Sequence, residues 1–407
     1  MSHISHTRLA FVLAVIVGLG PFALDAYLPA FSAIALDFGR TTPEVGLTVG
    51  IYVIALAAGQ LIGGPLSDRF GRARVMFCGL LIFIAGSLLI ATSASLAGML
   101  LGRVVQGFGG GCTTVGVPAI VRDRTEGNET ARLFSLVAMI MFAAPAIAPS
   151  LGALLLIASG WRTVFVFLAI YAVFAAVLLR WTLFPGGGER PVSTEPLHRL
   201  VTNYGQVLRH RRTMSYIALQ ALAASIMMVY LTHAPFIYQE WLGLSIGEFS
   251  ALFALNVAVM MGFSLGNRRL LKRHPPAILL SAALGVQAAA IVLLAAVALL
   301  ELPKLLAVPA LAIIIGSMGA VGPNNMAGAL HSFRSLAGTA AALMGATQFA
   351  AGGIVAAASV GLPFAEILDV VFTMAACSLL ALTLVTAVRR AEVGRLLGPR
   401  ESAGESD

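Results

Sequence analysis

The chain has 407 residues, of which 59% are hydrophobic and only 11% charged, and its mean hydropathy is +0.92. Soluble domains carry charge on roughly a quarter of their residues, so this chain cannot cover a water-facing surface, and lipid is its solvent. The formal charge of +8 is spread as arginines over short segments between apolar runs, which points to membrane orientation and away from a nucleic-acid-binding stripe.

Apolar runs of about 20 residues or more cross a ~30 Å hydrocarbon core at ~1.5 Å per residue. Alternating ten-residue strands are absent, so the backbone is satisfied by helices and not by a barrel. Runs bounded by Gly, Pro and charge predict helices near 9–38, 45–64, 75–93, 96–121, 133–159 and 163–184, then 214–240, 249–271, 277–300, 305–330, 337–362 and 367–388. The first run follows only Arg8 and shows no cleavage pattern, so it reads as a retained span. The fold class is therefore an all-α integral membrane protein with twelve transmembrane helices in two pseudo-symmetric six-helix bundles. The bundles are 1–184 and 213–390, joined by a Gly-, Pro- and Arg-rich linker at 185–212 and followed by a tail at 391–407.

Alternate inter-span segments hold twenty-two of the Lys and Arg residues, whereas the opposite set holds only Arg40, Arg162 and Lys304. By the positive-inside rule both termini and the linker are cytoplasmic. A Gly-started basic segment follows the second span of each half, Gly64 to Arg74 and Gly266 to Arg273, as expected of transporters built from repeats. Cys78, Cys112 and Cys377 fall inside apolar runs without metal-ligand spacing and read as small packing residues. No metal or cofactor is expected.

Asp25, in Phe22-Ala23-Leu24-Asp25-Ala26-Tyr27-Leu28-Pro29, is read as the one acid deep in any span. A carboxylate in the membrane is expensive when charged and is a functional candidate by default, here for proton exchange. Next, Gly64-Pro65-Leu66-Ser67-Asp68-Arg69-Phe70-Gly71-Arg72 joins spans two and three. Its glycines permit tight turning, and Asp68 suits the start of the eleventh helix, whose dipole favours an anion. Arg69, Arg72 and Asp123 are further candidates for a charge cluster at that end. Arg103, in Leu101-Gly102-Arg103-Val104-Val105-Gln106-Gly107, is an intramembrane arginine. It either pairs with Asp25, from which it differs in depth by roughly 6 Å at ~1.5 Å per residue, or bonds helix-end carbonyls. Span five contains Ala143-Ala144-Pro145-Ala146-Ile147-Ala148-Pro149-Ser150-Leu151-Gly152. Its two prolines remove intrahelical hydrogen bonds and kink it, while Ala and Gly allow close packing.

The 64–72 segment resembles the signature between helices two and three of the major facilitator superfamily, although Ala73 stands where that family usually has a further basic residue. The Arg103 segment is similar to that family's helix-four motif. Asp25-Ala26-Tyr27-Leu28-Pro29 and the Ala-Pro…Ala-Pro of span five resemble the bicyclomycin-resistance (Bcr/CflA-type) branch of its drug:proton antiporters, to which Gly338-Thr339-Ala340 adds a matching fragment. The resemblance implies a monomer of the bacterial inner membrane that exports small amphipathic molecules against protons by alternating access, with Asp25 and Arg103 in proton coupling. A proton-coupled importer, or an exporter of metabolites such as amino-acid derivatives, fits the same fold.

Polar residues within spans are candidates for the substrate path: Tyr27, Tyr52, Gln60, Gln106, Gln220, Tyr230, His233, Asn256, Asn324, Asn325 and Gln348. His233 reads first as a packing histidine. Asn324 and Asn325, beside Pro323, read first as partners for their own helix backbone. No HExxH, paired acidic motif or Gly-x-Ser-x-Gly occurs, so no enzymatic activity is expected.

Overall fold

The computed structural model describes residues 6–124, 128–183, 197–330, 337–363 and 366–397. Span one is α1 (His6–Asp25), a turn, a short 3-10 segment (Leu28–Ala30) and α2 (Phe31–Phe38). Span two is α3 (Thr42–Phe70) and span three α4 (Arg72–Ala91). Span four is α5 (Leu96–Thr114), continued past Val115 by α6 (Gly116–Arg124); spans five and six are α7 (Asn128–Ser159) and α8 (Arg162–Leu178). After α9 (Leu197–Arg209) come α10 (Arg211–Pro235), α11 (Ile246–Leu270) and α12 (Pro276–Leu299). Span ten is α13 (Ala307–Gly316) with α14 (Met318–Leu330), span eleven α15 (Ala337–Ser359) and span twelve α16 (Glu366–Leu397).

Among the described residues, eleven segments are long and apolar enough to cross a membrane. The remaining span, α5, is diluted by Arg103, Gln106 and a run of glycines. Three predicted helices are interrupted, at Ala26–Tyr27, Val115 and Ser317. The segment expected as a 64–72 loop is instead helical through Phe70; Gly71 alone breaks it, at φ +94°, a backbone conformation that favours glycine. The region expected as linker contains the helix α9, while its 185–196 portion lies outside the described residues.

The repeat is visible in the helix starts. Thr41 and Glu44 form a capping box at α3, and Ser245 and Glu248 form one at α11, so spans two and eight begin in the same way. The halves meet through α3 on α10 and α15 and through α7 on α11. Exchanging the halves carries the pairing of spans two and eleven onto that of eight and five.

At the end of the bundle away from the termini the halves are tied together. Ser32 Oγ donates to Gln239 Oε1 at 3.5 Å, Gln239 Nε2 donates to the Pro29 carbonyl at 3.4 Å, and Thr42 Oγ1 donates to Glu240. Backbones nearly touch there: a β-carbon on Gly46 would lie 2.6 Å from the Thr232 carbonyl oxygen, and one on Gly50 2.8 Å from that of Gly353. Toward the terminus-bearing end, a cavity of about 310 Å³ lies between α10, α14 and α15.

Candidate functional site

Helix α5 is the packing centre of the first half because its glycines face both neighbours. A β-carbon on Gly107 would lie 2.4 Å from the Tyr52 carbonyl oxygen of α3, and one on Gly109 2.4 Å from the Phe83 nitrogen of α4. Small residues are what allow helices to approach this closely where lipid offers no hydrophobic drive. The approach places Arg103, fully buried, against α1 and α3.

Arg103 is held by dipoles and rings. Its Nη1 donates to the Ala23 carbonyl at 3.0 Å and to Gln106 Oε1 at 2.6 Å, and its Nε donates to the Thr48 carbonyl at 3.3 Å. The guanidinium lies between Tyr27 and Tyr52, 4.4 and 4.3 Å from their ring centroids. Ala23 is in the last turn of α1, where carbonyls lose their helical partners and the dipole favours a cation. The network extends outward: Gln106 Nε2 donates to Ser87 Oγ at 2.8 Å, and Ser87 Oγ to the Phe83 carbonyl at 2.8 Å. The Thr48 hydroxyl donates to the Val45 carbonyl, so in the 2.8 Å contact Tyr27 Oη is the donor to Thr48.

Asp25 terminates α1 and is 5% exposed. It forms no ion pair or hydrogen bond among the described residues. The direct pairing with Arg103 expected from their depths is therefore not made in this conformation; through Nε and Nη1 the guanidinium bonds two helix carbonyls, the alternative the sequence left open, and Gln106. Nor is Asp25 the only buried acid in a span, because Asp369 of α16 is 4% exposed. Asp369 lies three residues past the start of its helix.

The double-proline helix crosses beside Asp25. A β-carbon on Gly152 of α7 would fall 1.5 Å from the carbonyl oxygen of Ala26, so the backbones of spans five and one are in contact one residue after the carboxylate. Pro149 is buried and Pro145 half-buried in the same helix. Of the signature residues, Arg72 is fully buried at the start of α4, and Arg69 lies over the Phe70 ring at 5.6 Å. A β-carbon on Gly64 would make only an ordinary contact, 3.7 Å from Val115 Cγ2, whereas one on its neighbour Gly63 would lie 2.9 Å from the Cys112 α-carbon. The side chains of Asp68 and Asp123 lie outside the described residues.

Among the described residues, the polar residues predicted in the second half fall into four groups, the last being the linked amides of Asn325, Gln220 and Gln348. Asn256 Nδ2 donates to Tyr230 Oη at 2.8 Å and to Tyr238 Oη at 3.0 Å, packed among Phe249 and Phe253. His233 Nε2 meets Ser359 Oγ at 2.9 Å; the serine hydroxyl donates to the Ala356 carbonyl, so the proton is on Nε2. Asn324 Nδ2 donates to the Ala320 carbonyl one turn back at 2.9 Å and also to Asn267 Oδ1 at 2.8 Å. Gln348 and Gln220 reach the cavity; Tyr27, Tyr52, Gln106, Tyr230, His233, Asn256 and Asn324 are buried away from it. Thr48 and Ser87 went unnoticed in the sequence because short hydroxyls bonded to their own helix leave no pattern there. Cys112 and Cys377 are buried, but Cys78 is exposed and does not pack.

The model of the Major Facilitator Superfamily matches residues 11–357. The chain is 25% identical to a bicyclomycin resistance protein homolog of Haemophilus influenzae, covering 90% of this chain and 92% of that one. It is 27% identical to the multidrug resistance protein MdtL of Klebsiella pneumoniae, over 98% and 100% of the two chains. Among solved structures it resembles a partially occluded inward open conformation of the Escherichia coli xylose transporter XylE, with a TM-score of 0.72, 15% identity and 99% of each chain covered. A peptide transporter POT in complex with sulfate gives a TM-score of 0.74 at 17% identity over 96% of each chain.

Proposed function

The chain belongs to the major facilitator superfamily, and from that premise we propose that it is a proton-coupled antiporter exporting small amphipathic molecules, drugs among them, across the bacterial inner membrane. The similarity to bicyclomycin- and multidrug-resistance proteins supports the cargo class. One observation carries the coupling: Asp25 is buried without a charge partner at the break in span one, where Gly152 of span five touches the backbone. An uncompensated charged carboxylate is costly there, so a proton is the partner this position accepts. Arg103, stacked between two tyrosines, holds the break in shape.

In this reading the halves rock about the α3–α15 and α7–α11 contacts, with both termini and the open cavity on the cytoplasmic side. Protonation of Asp25 removes the charge that its surroundings do not compensate, and release of the proton to the cytoplasm readies the carrier for cargo. The test is Asp25→Asn in purified protein reconstituted into liposomes with an imposed pH gradient. The variant keeps substrate binding yet loses uphill flux and substrate-induced proton release. Uphill transport with proton countermovement by the Asn variant overturns the assignment. Everted against right-side-out vesicles separate export from import.

A further inference from the structure

Asp25 and Arg103 are buried in the first half and His233 and Asp369 in the second, but among the described residues no ionisable side chain lines the cavity of the second half. That cavity is walled by the amides of Gln220 and Gln348 and by Pro323, Met326 and Met344, with small residues between. Its amides are ordered. Asn325 Nδ2 donates to Gln220 Oε1 at 3.2 Å, and Gln220 Nε2 donates to Gln348 Oε1 at 2.8 Å. Asn325 is fully buried and anchors the ladder from behind. The Gln220 and Gln348 carbonyls are each engaged by the preceding donor, so from Asn325 the ladder runs one way and ends on the Gln348 Nε2 group, which makes no hydrogen bond among the described residues.

Resting on the export reading, we infer that this cavity is the cargo subsite and that it takes an uncharged molecule presenting a carbonyl or amide oxygen to Gln348 and an apolar body to the two methionines. Among the described lining residues a cation entering it meets no carboxylate and an anion no guanidinium, so either loses hydration without replacement there. A carbonyl acceptor meets the free N–H groups at the end of the ladder. Methionine thioethers adapt to apolar bodies of varied shape, and ligand pockets of roughly 300–1,000 Å³ hold drug-sized molecules. Exchange of one neutral molecule outward for one proton inward moves one positive charge into the cell, so the membrane potential drives export as well as the pH gradient does.

The full-length protein, purified in detergent, is tested for binding of radiolabelled chloramphenicol, an uncharged amide, and of ethidium, a permanent cation, in wild-type, Gln348→Leu, Gln348→Asn and Gln348→Glu forms. Retention of the monodisperse peak after heating checks the fold. The wild type binds chloramphenicol saturably and ethidium not at all. Gln348→Leu weakens chloramphenicol binding roughly tenfold, Gln348→Asn less, and Gln348→Glu loses chloramphenicol while gaining ethidium. Absence of chloramphenicol binding, wild-type ethidium binding of comparable strength, or indifference of both probes to all three variants overturns the inference. Uphill export of ethidium by the wild type overturns the cargo class and leaves the antiport reading standing. Chloramphenicol binding without any proton-coupled flux does the reverse.

Discussion

The contact between Gly152 and Ala26 gives the sharpest handle on how the proton site is held. Replacing Gly152 with Ala places a β-carbon 1.5 Å from the Ala26 carbonyl oxygen. The closest ordinary C···O separation is ~3.3 Å, so α7 and α1 must part by roughly 1.8 Å. The obstacle is backbone, which cannot swing aside as a flexible side chain does. Overpacking of this kind costs about 1–3 kcal/mol, and displacement occurs one residue from Asp25. A control is Gly262→Ala in α11, where nothing lies within 4 Å of the new carbon; in a helix interior this change is favourable by roughly 0.5–1 kcal/mol. The assay is thermal unfolding in detergent followed by size-exclusion fluorescence, with proton-driven transport in liposomes alongside. Gly152→Ala lowers the apparent midpoint by several degrees and abolishes coupled transport, while Gly262→Ala leaves both at or above the wild-type level. Equal behaviour of the two variants refutes the argument that the span-five crossing builds the site.

Three further outcomes are expected. Arg103→Lys keeps the charge but not the planar fork that reaches Ala23, Thr48 and Gln106 or its stacking on two tyrosines; transport falls at least tenfold, and a wild-type rate shows that charge alone suffices. Cysteines introduced at Gly187 and Ser402 stay shielded from an impermeant thiol reagent applied to intact cells, while one at the exposed Glu301 reacts; the reverse pattern inverts the orientation. Asp68→Asn cuts transport while leaving expression near normal; full transport limits the 64–72 signature to a structural role.

Length, apolarity and charge asymmetry are properties of the chain alone, and they are enough to locate the spans. A stretch that must satisfy its backbone in lipid has one local solution, so 277–300 and 276–299, predicted and observed, differ by a single residue at each end. The residue types that draw attention to the site, a lone acid, an arginine among glycines and two prolines in one helix, are equally local signals. Which of them touch is not local. Arg103 lay within reach of Asp25 by depth, yet it binds the Ala23 carbonyl beside the break at Ala26–Tyr27 and the Thr48 carbonyl of α3, because helix rotation and the glycine-lined approach of α5 decide which way a side chain meets its neighbours. Gly152 and Gly262 are indistinguishable as letters, but one is pressed on backbone and the other is open. The amide ladder joins residues 105 and 128 positions apart. Such long-range registers arise only when the helices pack, since periodicity fixes the face of a helix and not the partner that covers it.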